Sequence, residues 1–165
     1  MYSLDNLWDG LGSLIDIYPE AKYYFGKVTM YPQLERTSRD MILYFMQNQF
    51  PDKDHLVTVR PELNLPILTD PEWLASIFNA DNYRDNYKIL VKLVRERGAA
   101  VPPLVNAYMN LSPTLRSFGT ALNQGFGKVE ETGILVTISD MFEEKVKRHL
   151  TYDKDDIPSH LIQIK

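Results

Sequence analysis

Residues 98–140 read GAAVPPLVNAYMNLSPTLRSFGTALNQGFGKVEETGILVTISD, and they decide the fold class by placing one short helix before two strands. Pro102 and Pro103 open a helix in which Leu104, Val105, Tyr108 and Leu111 are apolar, since proline suits the first helical turn, where its missing N–H costs nothing. Asn106 and Asn110 fall four apart and so share one helix face. Two aligned amides can hold a substrate amide or carboxylate, or can tie down neighbouring backbone, and the spacing fits both. Ser112-Pro113 closes the helix, residues 118–123 (FGTALN) predict a strand, residues 124–127 (QGFG) a loop, and residues 133–139 (GILVTIS) a second strand. Glu130 and Glu131 immediately precede that second strand. Neighbours in extended chain point to opposite faces, so at most one of them enters a given cleft. A single glutamate there, its pKa raised by burial, could take a proton from an attacking amine; surface solvation explains the pair equally well.

Upstream, residues 83–97 form the clearest amphipathic helix, with Tyr83, Tyr87, Leu90, Val91 and Val94 on one stripe and Gly98 as its stop. Its Arg84, Lys88, Lys92, Arg95 and Arg97 form a solvated face, or a surface for an acidic carrier protein or anionic lipid. Asp70-Pro71-Glu72 starts a packing helix carrying Trp73, Leu74, Ile77 and Phe78. Prolines at 51, 61, 66 and 71 leave room for one brief strand, LVTVR at 56–60. Thr37-Ser38-Arg39-Asp40 reads as a capping box opening a helix to about residue 49. Residues 22–31, KYYFGKVTMY, are aromatic and β-branched, with apolar residues on both faces as in a buried central strand, and Gly26 suggests a bulge. A cation inside such a strand, Lys27, must reach a carboxylate, a ligand or the strand end. Residues 4–18 predict a first helix with Trp8 on its apolar stripe and Gly10 and Gly12 in its interior, where either a close approach or tertiary packing accounts for them. Downstream, Asp140 is expected to cap a last helix over 141–150, before a loose tail at 151–165.

The composition narrows the function classes. A chain of 165 residues that is 44% hydrophobic and 24% charged suffices for one domain, taken as residues 1–150. A net charge of −4 argues against nucleic acid as a partner, because such binding needs clustered Lys and Arg. With no cysteine and with His55, His149 and His160 scattered, no metal ligand set is expected. The opening MYSLDNLWDG lacks a basic start with an apolar run, and no stretch reaches the roughly 18 apolar residues of a membrane span, so a cytoplasmic protein is expected. Its helical pattern begins almost at residue 1, as in the back portion of something longer.

LDNLWDGLGSL, KYYFGKVTMY, VPPLVNAYMNLSP and FGTALNQGFGKVEETGILV resemble the C-terminal part of the hemolysin-like GNAT-type N-acyltransferases. These are similar to ornithine and glycine lipid N-acyltransferases and, more remotely, to acyl-homoserine-lactone synthases. The resemblance covers residues 4–150 and implies an α/β (α+β) fold, a GNAT-like mixed sheet flanked by helices that lacks its N-terminal strands. It implies fatty acyl transfer to an amino group in aminolipid synthesis, from acyl carrier protein or acyl-coenzyme A as co-substrate, with no permanently bound cofactor. In that fold the pantetheine arm lies between two splayed parallel strands, the second resembling KYYFGKVTMY. By the same resemblance Ser3 faces the pyrophosphate or pantetheine, and Lys27 and Met30 border the thioester. Leu43-Tyr44 resembles a pair whose tyrosine protonates the leaving thiolate, with the spacing that follows changed by one residue. Glu131 or Glu130 would remove the amine proton, and Asn106 and Asn110 would meet substrate. Missing strands would leave a sheet edge inviting a second copy; contact with the inner membrane surface is also expected. The rival expectation is a non-catalytic binding or assembly module that keeps a GNAT-like core.

Overall fold

A computed structural model describes residues 3–149, with side chains from Trp8 to Arg148. The tail at 151–165, Leu150 and the side chains of Ser3 and His149 lie outside the described residues. The chain runs α1 (Ser3–Ile17), β1 (Tyr23–Met30), α2 (Arg36–Gln49), α3 (Pro71–Ile77), α4 (Tyr83–Glu96), α5 (Pro103–Met109), β2 (Arg116–Asn123), β3 (Val129–Thr137) and α6 (Glu143–His149). Short 3-10 turns occupy Pro61–Leu63 and Ile138–Asp140. The architecture is α+β, as expected.

The three strands form one antiparallel sheet in the order β1-β3-β2. This makes β3 the central strand and corrects the expectation of a central position for residues 22–31. Apolar side chains on both faces of β1 do not mean burial on both: Val28 and Met30 are fully buried, whereas Phe25 on the other face is 64% exposed. The outer edge of β1 pairs with no other strand among the described residues. The outer edge of β2 is covered by the segment from 50 to 65, through Ser117 N–H donating to the Phe50 carbonyl at 2.7 Å and Leu65 N–H to the Thr120 carbonyl at 2.9 Å.

Gly26 sits in regular register opposite Ile134, so the expected bulge is not there; it lies on β2 between Ser117 and Thr120. Within it a Cβ on Gly119 would stand 2.6 Å from Val59 Cγ2, so any larger residue there would force Val59 to move. Residues 56–60, expected as a strand, form none; they lead into the Pro61–Leu63 turn, and Asn64 makes only an isolated bridge to Ala121.

The core lies on the sheet face that carries Val28, Met30, Ile134 and Val136. Helix α2 crosses it, burying Met41, Ile42, Leu43, Phe45 and Met46, and α4 adds Leu90 and Val94 behind it. Trp8 packs edge-on against Tyr108 at 5.0 Å between ring centres, and Tyr24 Oη donates to the Leu11 carbonyl at 2.5 Å, fixing α1 to α5 and β1. Two caps differ from expectation. Glu35, not Thr37, caps α2, its carboxylate accepting from the Thr37 and Ser38 amides at 2.9 and 2.7 Å. Asp140 ends the 3-10 turn, accepting from Thr114 Oγ1 at 2.6 Å, and α6 starts three residues later.

Candidate functional site

The strand β3 begins at Val129, so Glu130 and Glu131 lie inside it rather than before it. The pleat sends them apart. Glu130 pairs in register with Met30 and shares the helix-covered face, while Glu131 pairs with Thr29 on the opposite face.

On that opposite face Lys27 Nζ meets Glu131 Oε2 at 2.6 Å, with the lysine side chain 59% exposed and the glutamate 13%. The strand cation therefore reaches a carboxylate, one of the outcomes open to it. Desolvation pushes the Glu131 carboxyl up, but hydrogen bonds from Lys27 and Asn123 outweigh this and hold it below its ordinary value. A raised pKa is thus not found at Glu131.

On the covered face α2 delivers Arg39 to Glu130. Arg39 Nε donates to Glu130 Oε2 at 2.6 Å, Nη1 donates to Asp40 Oδ1 at 2.6 Å and the Pro66 carbonyl at 2.9 Å, and Nη2 donates to the Leu65 carbonyl at 3.3 Å. Asp40, fully buried, completes the network: its Oδ2 accepts from the Leu68 and Thr69 amides at 3.0 and 2.9 Å and from Thr69 Oγ1 at 2.9 Å. Buried charges persist only when paired and hydrogen-bonded, and here each is. Desolvation raises the Asp40 carboxyl, but Arg39 and the Thr69 and Leu68 donors overcome it and leave it lowered.

Above this network a cavity of about 300 Å³ opens at the C-terminal end of β1. Tyr31, Pro32 and Leu34 form one wall, Leu65 and Pro66 the other, and Arg36, Arg39 and Glu130 supply charge. Its volume is at the small end of ligand sites. Glu130 Oε1 makes no hydrogen bond among the described residues, and Arg36 makes no ion pair among them. The α2 N-terminus beside the cavity is already occupied by Glu35, whose carboxyl is lowered to about 2: burial raises it, but the Ser38 hydroxyl and the Thr37 and Ser38 amides prevail.

The other expected site residues lie elsewhere. Met30 is fully buried in the core. Tyr44 stacks on Phe78 at 6.0 Å between ring centres, on the α3 side of α2. Asn106 and Asn110 are engaged with each other and with α4: Asn110 Nδ2 donates to Asn106 Oδ1 at 2.9 Å and to its carbonyl at 2.8 Å, and Tyr87 Oη donates to Asn106 Oδ1. Arg36, Arg39, Asp40 and the 65–66 loop were not singled out as site residues by sequence. One signal was present: charged residues 39 and 40 run straight into the apolar run at 41–43 on a helix buried almost all round.

Among the described residues no helix is long and apolar enough to cross a membrane, and no group of three or more His, Asp or Glu is placed to hold a metal ion.

Over 150 residues, 91% of its length, the chain is 55% identical to a protein of Phocaeicola vulgatus named Glycine N(alpha)-acyltransferase. It is 52% identical over the same length to a protein of that name from Bacteroides thetaiotaomicron. The matched part makes up 45% and 44% of those two proteins, so the chain spans less than half the length of the curated relatives it matches. No family model and no solved structure matches. Identity at this level makes the matched part a relative of those two proteins.

Proposed function

We propose that this chain forms the amine-accepting side of an N-acyltransferase that moves a fatty acyl group from a thioester to the amino group of glycine or a similar small amino acid, in aminolipid synthesis. The observation that carries this reading is Glu130: one carboxylate oxygen is fixed by buried Arg39, and the residue lines the cavity. The relatives' shared name supports the acceptor class. In the reaction the amine nitrogen adds to the thioester carbonyl carbon, the C–S bond breaks, and the thiolate leaves. The proton shed as nitrogen becomes an amide passes to Glu130. Arg39 positions that carboxylate and does not touch the reacting atoms. The thiolate belongs to acyl carrier protein or coenzyme A, and Ser3 at the start of α1 is proposed for the donor side. Met30 packs in the core and Tyr44 against it, Lys27 pairs with Glu131 on the opposite sheet face, and Asn106 and Asn110 hold each other and Tyr87, so none of these lines the cavity.

The test is acyl transfer from palmitoyl carrier protein and palmitoyl-coenzyme A to a panel of amino acids, read by mass spectrometry. It is run on this chain alone and on this chain fused to the segment of the Phocaeicola protein outside the match. Glu130→Gln is expected to lower transfer by about 10²- to 10⁴-fold, the usual worth of a general base, with Glu131→Gln within about threefold of the parent. Equal losses at the two positions would remove Glu130 from the mechanism.

A second reading is favoured by the open edge of β1 and the exposed Tyr23 and Phe25 beside it: a binding or assembly module with this core and no catalysis. Tight self-association with no transfer in either form would establish it.

A further inference from the structure

The cavity holds two charges with unused hydrogen-bonding capacity, of opposite sign and on different elements. Glu130 comes from β3, and Arg36 from the first turn of α2. The other cation there, Arg39, spends four of its five N–H groups on Glu130, Asp40 and the carbonyls of Leu65 and Pro66. The Thr37 and Ser38 amides at the start of α2 are spent on Glu35. An anion entering this cavity therefore has one well-furnished partner, the Arg36 guanidinium, whose planar fork suits a carboxylate.

We infer that Arg36 is the specificity-determining residue for the acceptor, holding the α-carboxylate of a small amino acid while Glu130 takes its amino group. This rests on the acceptor reading above. It selects amino acids over simple amines, because a ligand lacking the carboxylate gains no ion pair with Arg36. The apolar walls from Leu34, Leu65 and Pro66 offer a side chain no polar partner.

The experiment titrates the full ¹⁵N-labelled 165-residue chain with glycine and with glycinamide, which keeps the amine and lacks the carboxylate. Hydrogen bonds to charged groups are worth enough to predict that glycine binds about 10- to 100-fold more tightly, with shifts at the amides of Tyr31, of residues 33–39 and of Glu130. Arg36→Gln should bring the two ligands within about threefold of each other, and Arg36→Lys should restore part of the difference. Arg36 is exposed, so its variants are expected to keep the parent's dispersed spectrum, which the same data check. A glycine preference that survives Arg36→Gln overturns the inference. Equal binding of glycine and glycinamide by the parent, abolished for both by Glu130→Gln, also overturns it while leaving Glu130 as an amine site. Binding of neither ligand overturns both the inference and the acceptor reading.

Discussion

Glu130 and Glu131 are neighbours with the same side chain, yet the two faces of the sheet make different groups of them. On the covered face Glu130 meets an arginine that is 7% exposed and anchored to a second buried acid and two loop carbonyls. On the open face Glu131 meets a lysine whose side chain is mostly in water. The first pair belongs to a network in which removing Arg39 would leave two acids without their cation; the second is a single contact whose lysine is mostly in water, although its glutamate side chain is 13% exposed against 19% for Glu130. The difference teaches that a short ion-pair distance says little by itself, since both are 2.6 Å. What surrounds the pair decides what it does.

The comparison is broken most directly at Asp40. Replacing it with alanine leaves Arg39 and the Leu68 and Thr69 donors without their buried partner, and the expected loss of stability is about 3–5 kcal/mol in urea unfolding. The loop carrying Leu65 and Pro66 should loosen with it, so glycine binding at the cavity should weaken too. A loss below about 1 kcal/mol would show that the network is solvated and that the two faces are alike.

A smaller effect belongs to Glu35, which faces solvent but caps α2. Glu35→Ala should cost about 1 kcal/mol, the ordinary worth of a helix cap. Its pH dependence has a definite sign. The folded carboxyl is lowered from 4.5 to about 2, so the stabilisation is complete above 4.5 and is lost as pH falls from there towards 2. Thermal unfolding of parent and variant should therefore converge over that window, and a constant gap would mean the cap is not ionic.

Lys27→Ala is expected to have the least effect, about 0.2–1 kcal/mol and smaller still in high salt. A loss comparable with that of Asp40→Ala would erase the distinction between the faces.

What the sequence revealed divides along the same physical line. The helix over 83–97 and the Asp70 cap were legible because periodicity and capping are local, and α4 and α3 appear within one or two residues of expectation. The opposed directions of Glu130 and Glu131 were legible from the pleat alone. Which of them would enter a cavity was not, because that depends on α2 covering one face. Asp40 was misread as part of a capping box because its true partners lie 28 and 29 residues away. Glu35 was overlooked because Thr37 and Ser38 are the commoner caps. The edge position of β1 was hidden for a similar reason: composition records which side chains a strand carries, and strand order depends on which strands pair.

The two edges of the sheet differ in how they would accept a newcomer. Alternate amides and carbonyls of β1 point away from β3, so a further strand could join there without displacing any backbone bond among the described residues. At β2 the segment from 50 to 65 would first have to peel away, surrendering its bonds to Ser117 and Thr120. Extension of this sheet is thus directional, additive on one side and substitutive on the other.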